Sequence, residues 1–447
     1  MNTNKLNLNR RAFVSKSAKA ATLISVAPTF AFNANTKSTK KLRLVLVGTG
    51  VRGIHSWGTE LVGPYEEYVE MTGLCDINKK RVEVAKSMIG IKAKTYHSSE
   101  FDQMIKEQKP DMVIVTTTDS AHVDYIVRAM ELGCDAISEK PIATDEAQCQ
   151  RILDAEKKTG KKVYVGFNVR YSNDSIEMKR ILDSGVLGKI ISIEYQEYLD
   201  TGHGASYFRR WHGKIKYSGS LFVHKSSHHF DLINWLLNAE PVEVRAMGKV
   251  GFYGSNNEFR GKNCRNCDFT NQCDFYWDIT KNEKDTKLYV DCEDVDHYYR
   301  DGCVWDDKID SPDSGSVLVR YDNDTQLNYS LNAYLPYEGQ KISFSGEKGR
   351  LDVRLFYRQP WLDHNKAEFR LTTDRKTTKK WDILPGQGGH GGADERVKDS
   401  FFKPDQDDSI GQRAGSRAGV MSSLIGIAAI KSIKSGTTIN IKDLISV

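Results

Sequence analysis

The sequence predicts an α/β protein, with a doubly wound parallel sheet in its first third and a larger α+β domain built on a mostly antiparallel sheet after it. Three observations carry this reading. Short apolar runs alternate with helix-length amphipathic stretches from Lys41 to about Phe167. The first apolar run leads straight into a glycine-rich turn. Beyond Asn168 the pattern becomes strands of alternating polarity, the signature of a sheet with one covered face. A chain of 447 residues has room for two or three domains and a substantial core. A net charge of +5, scattered rather than striped, argues against a nucleic-acid partner.

In chain order, Asn9–Arg10–Arg11–Ala12–Phe13–Val14–Ser15–Lys16 is a twin-arginine pattern, followed by a mildly apolar run from Ala18 to Phe32. That run is too short and too polar for a stable membrane span. Residues 1–34 therefore read as a twin-arginine export signal that is removed, with cleavage points near Ala31 and Ala34, and the expected location is the periplasm. No cysteine follows the run, which speaks against a lipid anchor. Residues 35–40 are a short linker.

Residues 41–167 make the nucleotide-binding domain. Leu42–Val47 is a buried strand that enters Gly48–Thr49–Gly50–Val51–Arg52–Gly53, a G-x-G-x-x-G whose glycines allow a tight turn and bring backbone N–H groups to a pyrophosphate. A second strand, Tyr68–Cys75, closes on Asp76, placed to bond the ribose hydroxyls and to repel a 2′-phosphate, which favours NAD over NADP. Helices are expected at Lys79–Met88, Phe101–Gln108, Val123–Leu132 and Glu146–Thr159, and strands at Asp111–Thr116, Asp135–Ser138 and Val163–Phe167. The strand ends carry Thr117 to His122, Glu139–Lys140 and Asn168–Arg170, where such sheets bind ligands. The candidate cofactor residues are Gly48, Gly50, Val51, Arg52, Gly53, Asp76, Thr117, His122, Glu139, Lys140 and Asn168. This is the dinucleotide-binding Rossmann pattern.

Residues 168–447 make the second domain. A helix is expected at Ser175–Ser184, and strands at Ile190–Tyr198, Val242–Val250, Ser316–Tyr321, Gln326–Ala333, Lys341–Ser345 and Gly349–Val353. A last helix, about Gln412 to Ser435, has enough small residues to pack closely. The stretch from Gly202 to His212 mixes aromatic rings with donors, which suits a sugar as well as it suits a packed loop; Tyr207, Arg210 and Trp211 are candidate substrate residues. In Val223–His224–Lys225–Ser226–Ser227–His228–His229–Phe230–Asp231, His224 and His228 would share a face on one helix, with Asp231 three residues on. A metal site and acid/base machinery both match that spacing, but zinc needs a third protein ligand and none has suitable local spacing.

Gly48–Gly53, Asp76, Glu139–Lys140–Pro141, Gly166–Phe167–Asn168 and the histidine stretch together resemble the Gfo/Idh/MocA family of nicotinamide-dependent sugar and polyol oxidoreductases. The resemblance covers nearly everything from Lys41 onward. It implies that Lys140 touches cofactor and substrate hydroxyl, and that the pattern G-G-x-L-x-D-x-x-x-H-x-x-D places the catalytic histidine at His228 and an aspartate at Asp231. His224 stands where the family usually has an acid, which removes a carboxylate partner from Lys140. Further candidate substrate residues are Arg170, Lys225, His229, Asp231 and His390, the last in the glycine-rich Gly388–Asp394 loop. The implied activity is NAD-dependent oxidation of a secondary hydroxyl, at C3, of a sugar or glycoside, by a homodimer or homotetramer. The alternative is a glycosidase that oxidises, eliminates, hydrates and reduces again with its NAD retained. A non-catalytic sugar-binding protein would be expected to lack Lys140 and His228.

An insertion at about 255–310 carries Cys264, Cys267, Cys273, Cys292 and Cys303. Cys264, Cys267 and Cys273 with Cys303 or Cys292 fit a structural zinc site; disulfides fit equally, and an iron–sulfur cluster fits less well because the fourth spacing is irregular. Cys75, Cys134 and Cys149 read as buried small apolar residues.

Overall fold

The computed structural model describes residues 40–362, 364–374 and 377–446; the expected export signal lies outside them. Strands β1 (Leu42–Val47), β2 (Val69–Asp76), β3 (Lys94–His97), β4 (Met112–Val115), β5 (Asp135–Ser138) and β6 (Val163–Val165) form a fully parallel sheet in the order β3-β2-β1-β4-β5-β6. Leu44 through Val47 are at most 1% exposed, as a strand covered on both faces must be. The chain reverses direction across the sheet between β1 and β4, so their carboxyl ends open a crevice. Local signals set the helix ends. Asn78 caps Lys79–Ile89 by accepting from the Lys80 and Arg81 N–H groups, and Asp145 caps Glu146–Thr159 through Gln148. Gly90 and Gly160 end these helices in the left-handed conformation.

The second sheet has nine strands: β7 (Ile190–Asp200), β8 (Pro241–Lys249), β9 (Ser314–Tyr321), β10 (Gln326–Leu335), β11 (Glu338–Gly346), β12 (Arg350–Arg358), β13 (Lys366–Thr372), β14 (Thr378–Ile383) and β15 (Ile439–Asn440). Their order is β14-β13-β12-β11-β7-β10-β9-β8-β15, and only the β7–β10 pair is parallel. The helix Ser416–Ser435 lies against both sheets. A Cβ on Gly419 would sit 2.9 Å from Val165, and one on Gly426 would sit 2.4 Å from the Phe222 carbonyl oxygen. The small residues expected to pack closely therefore do so.

The histidine stretch is two helices, not one. Leu221–His224 stops, Lys225 and Ser226 turn, and Ser227–Leu237 begins. Ser226 marks the break: its hydroxyl bonds the Tyr329 hydroxyl at 2.8 Å and reaches the Leu221 carbonyl at 3.3 Å. The ladder therefore breaks between His224 and His228, and their rings find different partners.

Just before this segment, Ser220 has φ +115 and ψ 173, a region that only glycine populates freely. It is fully buried and its hydroxyl has no hydrogen-bond partner. Replacing Ser220 with glycine should relieve about 1–3 kcal/mol of strain, against about 0.5–1 kcal/mol of added unfolded-chain entropy. Equilibrium denaturation should show a higher midpoint for Ser220→Gly, and a lowered midpoint would refute the strain.

Candidate active site

The glycine-rich turn is built by contact. A Cβ on Gly48 (φ +91) would lie 2.6 Å from the Thr116 carbonyl carbon, and one on Gly53 would lie 2.2 Å from the Gly48 oxygen. Gly50 is different: its only near neighbour is the Tyr289 hydroxyl at 3.7 Å, so its face stays open for a close ligand. Asp76 accepts from the Thr49 N–H (2.6 Å) and hydroxyl (2.8 Å), which ties the turn to the end of β2. Arg81, beside Asp76 at 3.5 Å, is also paired with Asp296 at 2.7 Å, and its Nη2 is buried without a partner. Asn168 gives its amide to Asp394 at 2.7 Å and leaves Oδ1 buried and unpartnered. An open glycine face with orphaned polar atoms at both ends of the groove fits a bound dinucleotide.

Lys140 leaves the end of β5 and donates to the His224 carbonyl at 2.9 Å. Burial lowers its pKa to about 8, against the opposing pull of Asp119 and Glu139. The His224 ring meets Asp119 at 2.6 Å, Nδ1 to Oδ2, and both groups are buried. Burial pushes the Asp119 carboxyl up and the His224 imidazole down, so the pair favours its uncharged form with one exchangeable proton. The site is thus not without an acid: Asp119, in the turn after β4, brings a carboxyl to the His224 ring near Lys140. Tyr207 and Trp211 set their rings edge-on to His224 at 5.4 and 5.6 Å, and Trp211 stacks on His212 at 3.6 Å.

His228 packs edge-on against Phe167 at 5.9 Å, and its Nδ1 is buried without a partner. Burial, followed by the charges of Lys140, Lys225, His229 and His390, keeps the ring neutral. His390 closes the glycine-rich loop by holding Asp394 at 2.6 Å. Asp394 also faces Arg52 at 3.5 Å, which links the loop to the site.

Several expected ligand contacts are taken by the protein itself. Arg170 and Asp231 form a bidentate pair at 2.6 and 2.7 Å, buried to 6% and 1% side-chain exposure, and this holds the helix Ser227–Leu237 rather than a substrate. His229 is packed in the core, with Nδ1 2.8 Å from the Tyr329 hydroxyl. Lys225 pairs with buried Glu197 at 3.2 Å. Glu139 accepts from Arg52 Nε (2.6 Å) and Trp57 Nε1 (2.7 Å), so Glu139 and Arg52 brace the groove instead of presenting free charge. His122 places its two ring nitrogens 2.8 Å from the Pro141 carbonyl and 3.2 Å from the Thr117 carbonyl, joining β4 to the Lys140 turn. Sequence reasoning passed over Asp119, although it lies within a strand-end segment, and also Glu197 and Tyr289.

The cysteine insertion departs from both expected forms. All eight cysteines are unpaired thiols, and among the described residues no three His, Cys, Asp or Glu side chains converge to hold a metal ion. Cys264, Cys267, Cys273 and Cys303 do line one cavity, of about 20 Å³. The Arg209 guanidinium sits 3.1 Å from the Cys264 sulfur, a positive group where a cation would have to bind, and Cys292 lies elsewhere, bonding the Lys287 carbonyl at 3.3 Å. The insertion instead covers the nucleotide groove. The Tyr289 hydroxyl accepts from the Val51 N–H at 3.2 Å, Asn78 donates to the Cys292 carbonyl at 2.7 Å, and Lys80 pairs with Asp294 at 2.7 Å.

Among the described residues no helix is long and apolar enough to cross a membrane. Residues 42–167 match the model of an oxidoreductase family with an NAD-binding Rossmann fold, and residues 179–441 match that family's C-terminal α/β domain. The Bacillus subtilis (strain 168) protein YteT, named as an oxidoreductase, is 34% identical over 421 residues, covering 90% of this chain and 98% of YteT. The inositol 2-dehydrogenase of Salmonella paratyphi B is 31% identical over 178 residues, 40% of this chain and 49% of that enzyme. In fold, the chain is similar to the Bordetella pertussis WlbA dehydrogenase, solved with NADH and UDP-GlcNAcA (TM-score 0.61, 17% identity, 90% of this chain and 99% of that one). With both family domains matched in order along one chain and a full-length relative above 30% identity, the protein belongs to the Gfo/Idh/MocA oxidoreductase family.

Proposed function

We propose that this protein oxidises a secondary hydroxyl, at C3, of a sugar or glycoside with NAD. The observation that carries the reading is the meeting of Lys140, His228 and the Asp119–His224 pair at the carboxyl ends of β4 and β5, beside an open glycine-rich turn. The backbone at Gly50, with Asp76, Thr117 and Asn168, would hold the dinucleotide, which when bound supplies the hydride acceptor; the Val51 N–H is taken by the Tyr289 hydroxyl. Asp76, at the end of β2, would repel a 2′-phosphate, which supports NAD over NADP. His228, neutral and only part-buried, takes the hydroxyl proton. Lys140, fixed by the His224 carbonyl, donates to the oxygen as negative charge develops there. The part-buried Trp211 ring, stacked on His212, supplies flat apolar surface for a pyranose.

One observation favours the glycosidase reading as the second choice. The insertion covers the groove at Val51, Asn78 and Lys80, and a covered cofactor exchanges slowly, which suits one regenerated within each turnover. The paired arginines Arg10 and Arg11 support export of the folded protein with its cofactor already aboard.

Product analysis with a panel of sugars and glycosides tests both readings. A keto-sugar with accumulating NADH supports the dehydrogenase; released aglycone without net NADH supports the glycosidase; neither product from any member sinks both. In either case kcat/KM should fall as pH rises through about 8, where Lys140 loses its proton. A flat profile there removes Lys140 from the role.

A further inference from the structure

Among the described residues, no carboxylate pairs with the Arg210 or Arg300 guanidinium. Arg210 bonds only the Ser206 carbonyl (2.6 Å) and hydroxyl (3.2 Å), and lies 5.6 Å over the Tyr207 ring that abuts His224. Arg300, from the insertion, makes no hydrogen bond or ion pair among the described residues. It lies 5.5 Å over Trp277 and 5.7 Å over Tyr289, whose hydroxyl sits on the Val51 N–H. The two segments are joined. Arg209 shares the Trp277 ring at 5.8 Å, and a Cβ on Gly302 would come within 2.3 Å of the Arg209 carbonyl oxygen. The nearby carboxylates are engaged: Asp301 by Arg265 at 3.0 Å, and Asp119 by His224. Burial and then the charge of Arg300 bring the Arg210 pKa down to about 10, so Arg210 lies within reach of the Arg300 charge.

We propose that Arg210 and Arg300 form an oxyanion site between the glycine-rich turn and the His224 pocket. Half-buried cations without partners are costly unless a ligand neutralises them, and two planar guanidiniums suit a carboxylate or a phosphate. Two sources carry that chemistry here: the carboxylate of an acidic sugar substrate, which would make the enzyme a uronide oxidoreductase, and the pyrophosphate of the dinucleotide, which would make the insertion a clamp on its own cofactor. The inference rests on the reading of this cleft as a dinucleotide and sugar site.

Titration calorimetry on wild type, Arg300→Gln, Arg300→Lys and Arg210→Gln tests it, with NADH on the apoprotein and with methyl β-D-glucuronide and methyl β-D-glucoside on the NAD-loaded protein. Loss of a charge-assisted contact should weaken binding roughly 10- to 100-fold, with Arg300→Lys recovering part of it. Weaker glucuronide binding with NADH and glucoside unchanged assigns the site to the substrate carboxylate. Weaker NADH binding assigns it to the pyrophosphate. If wild type binds NADH and neither ligand responds to any of the three variants, the oxyanion site is refuted while the dinucleotide reading stands. If wild type binds no NADH, the underlying reading fails and the site with it.

Discussion

Replacing His228 with alanine is expected to lower turnover by roughly 10²- to 10⁴-fold and to leave bound NAD in place. The ring is neutral because burial, with the charges of Lys140 and Lys225 nearby, disfavours its charged form, and its Nδ1 is buried without a hydrogen-bond partner. A proton acceptor held in that state is available to a substrate hydroxyl, and removing it leaves only Lys140 at the reacting oxygen. The groove at Gly50, Val51 and Asp76 is untouched by the change, so NAD released on denaturing the purified variant should match wild type. Turnover that survives the substitution would assign the proton to another group, and loss of NAD would show that His228 supports the groove instead.

Replacing Asp231 with alanine should destabilise the protein by about 3–5 kcal/mol, because it strands the Arg170 guanidinium in the core. Arg170 would keep the Gly411 carbonyl at 3.1 Å but lose both bonds to the carboxylate. Equilibrium denaturation measures the loss directly. Removing both partners together, as Arg170→Met with Asp231→Leu, should recover much of it, since a matched apolar pair leaves no buried charge. If the single variant falls by under about 1 kcal/mol, the pair acts like a solvated surface bridge and the burial argument is wrong. Asp231 lies one helical turn after His228, so the single variant should also lose activity, through misplacement of the base.

These two residues show how far sequence carries and where it stops. The parallel sheet was legible because fully buried strands leave continuous apolar runs, and strand ends mark where ligands gather. His228 was singled out by the family resemblance, since its local spacing alone matched a metal site as well as acid/base machinery. Asp119 was not legible as a partner, because it lies 105 positions from His224 and only the fold brings the two together. Asp231 carried the pattern of a site residue while serving as a core ion pair, since charge in a motif does not reveal which way it faces. Strands β13 and β14 were missed because one forms a lysine-bearing sheet edge, whose polarity masks the alternation. The cysteine spacing suggested cross-linking, whereas the insertion's clearest contacts are made by Tyr289, Asn78 and Arg81 across the groove.

The placement of the helix Ser416–Ser435 also bears on how the chain is made. β6 is the edge of the parallel sheet, and its Val165 N–H bonds the carbonyl of Ala414, while Gly419 seals Val165 and Ile142. A ribosome releases those residues long after the parallel sheet, so the nucleotide half stays open along one side until the helix Ser416–Ser435 has emerged. Residues 41–167 expressed alone would expose that apolar edge and aggregate, and a nonsense codon anywhere before the final helix would cost the dinucleotide fold as well as the sheet beyond it.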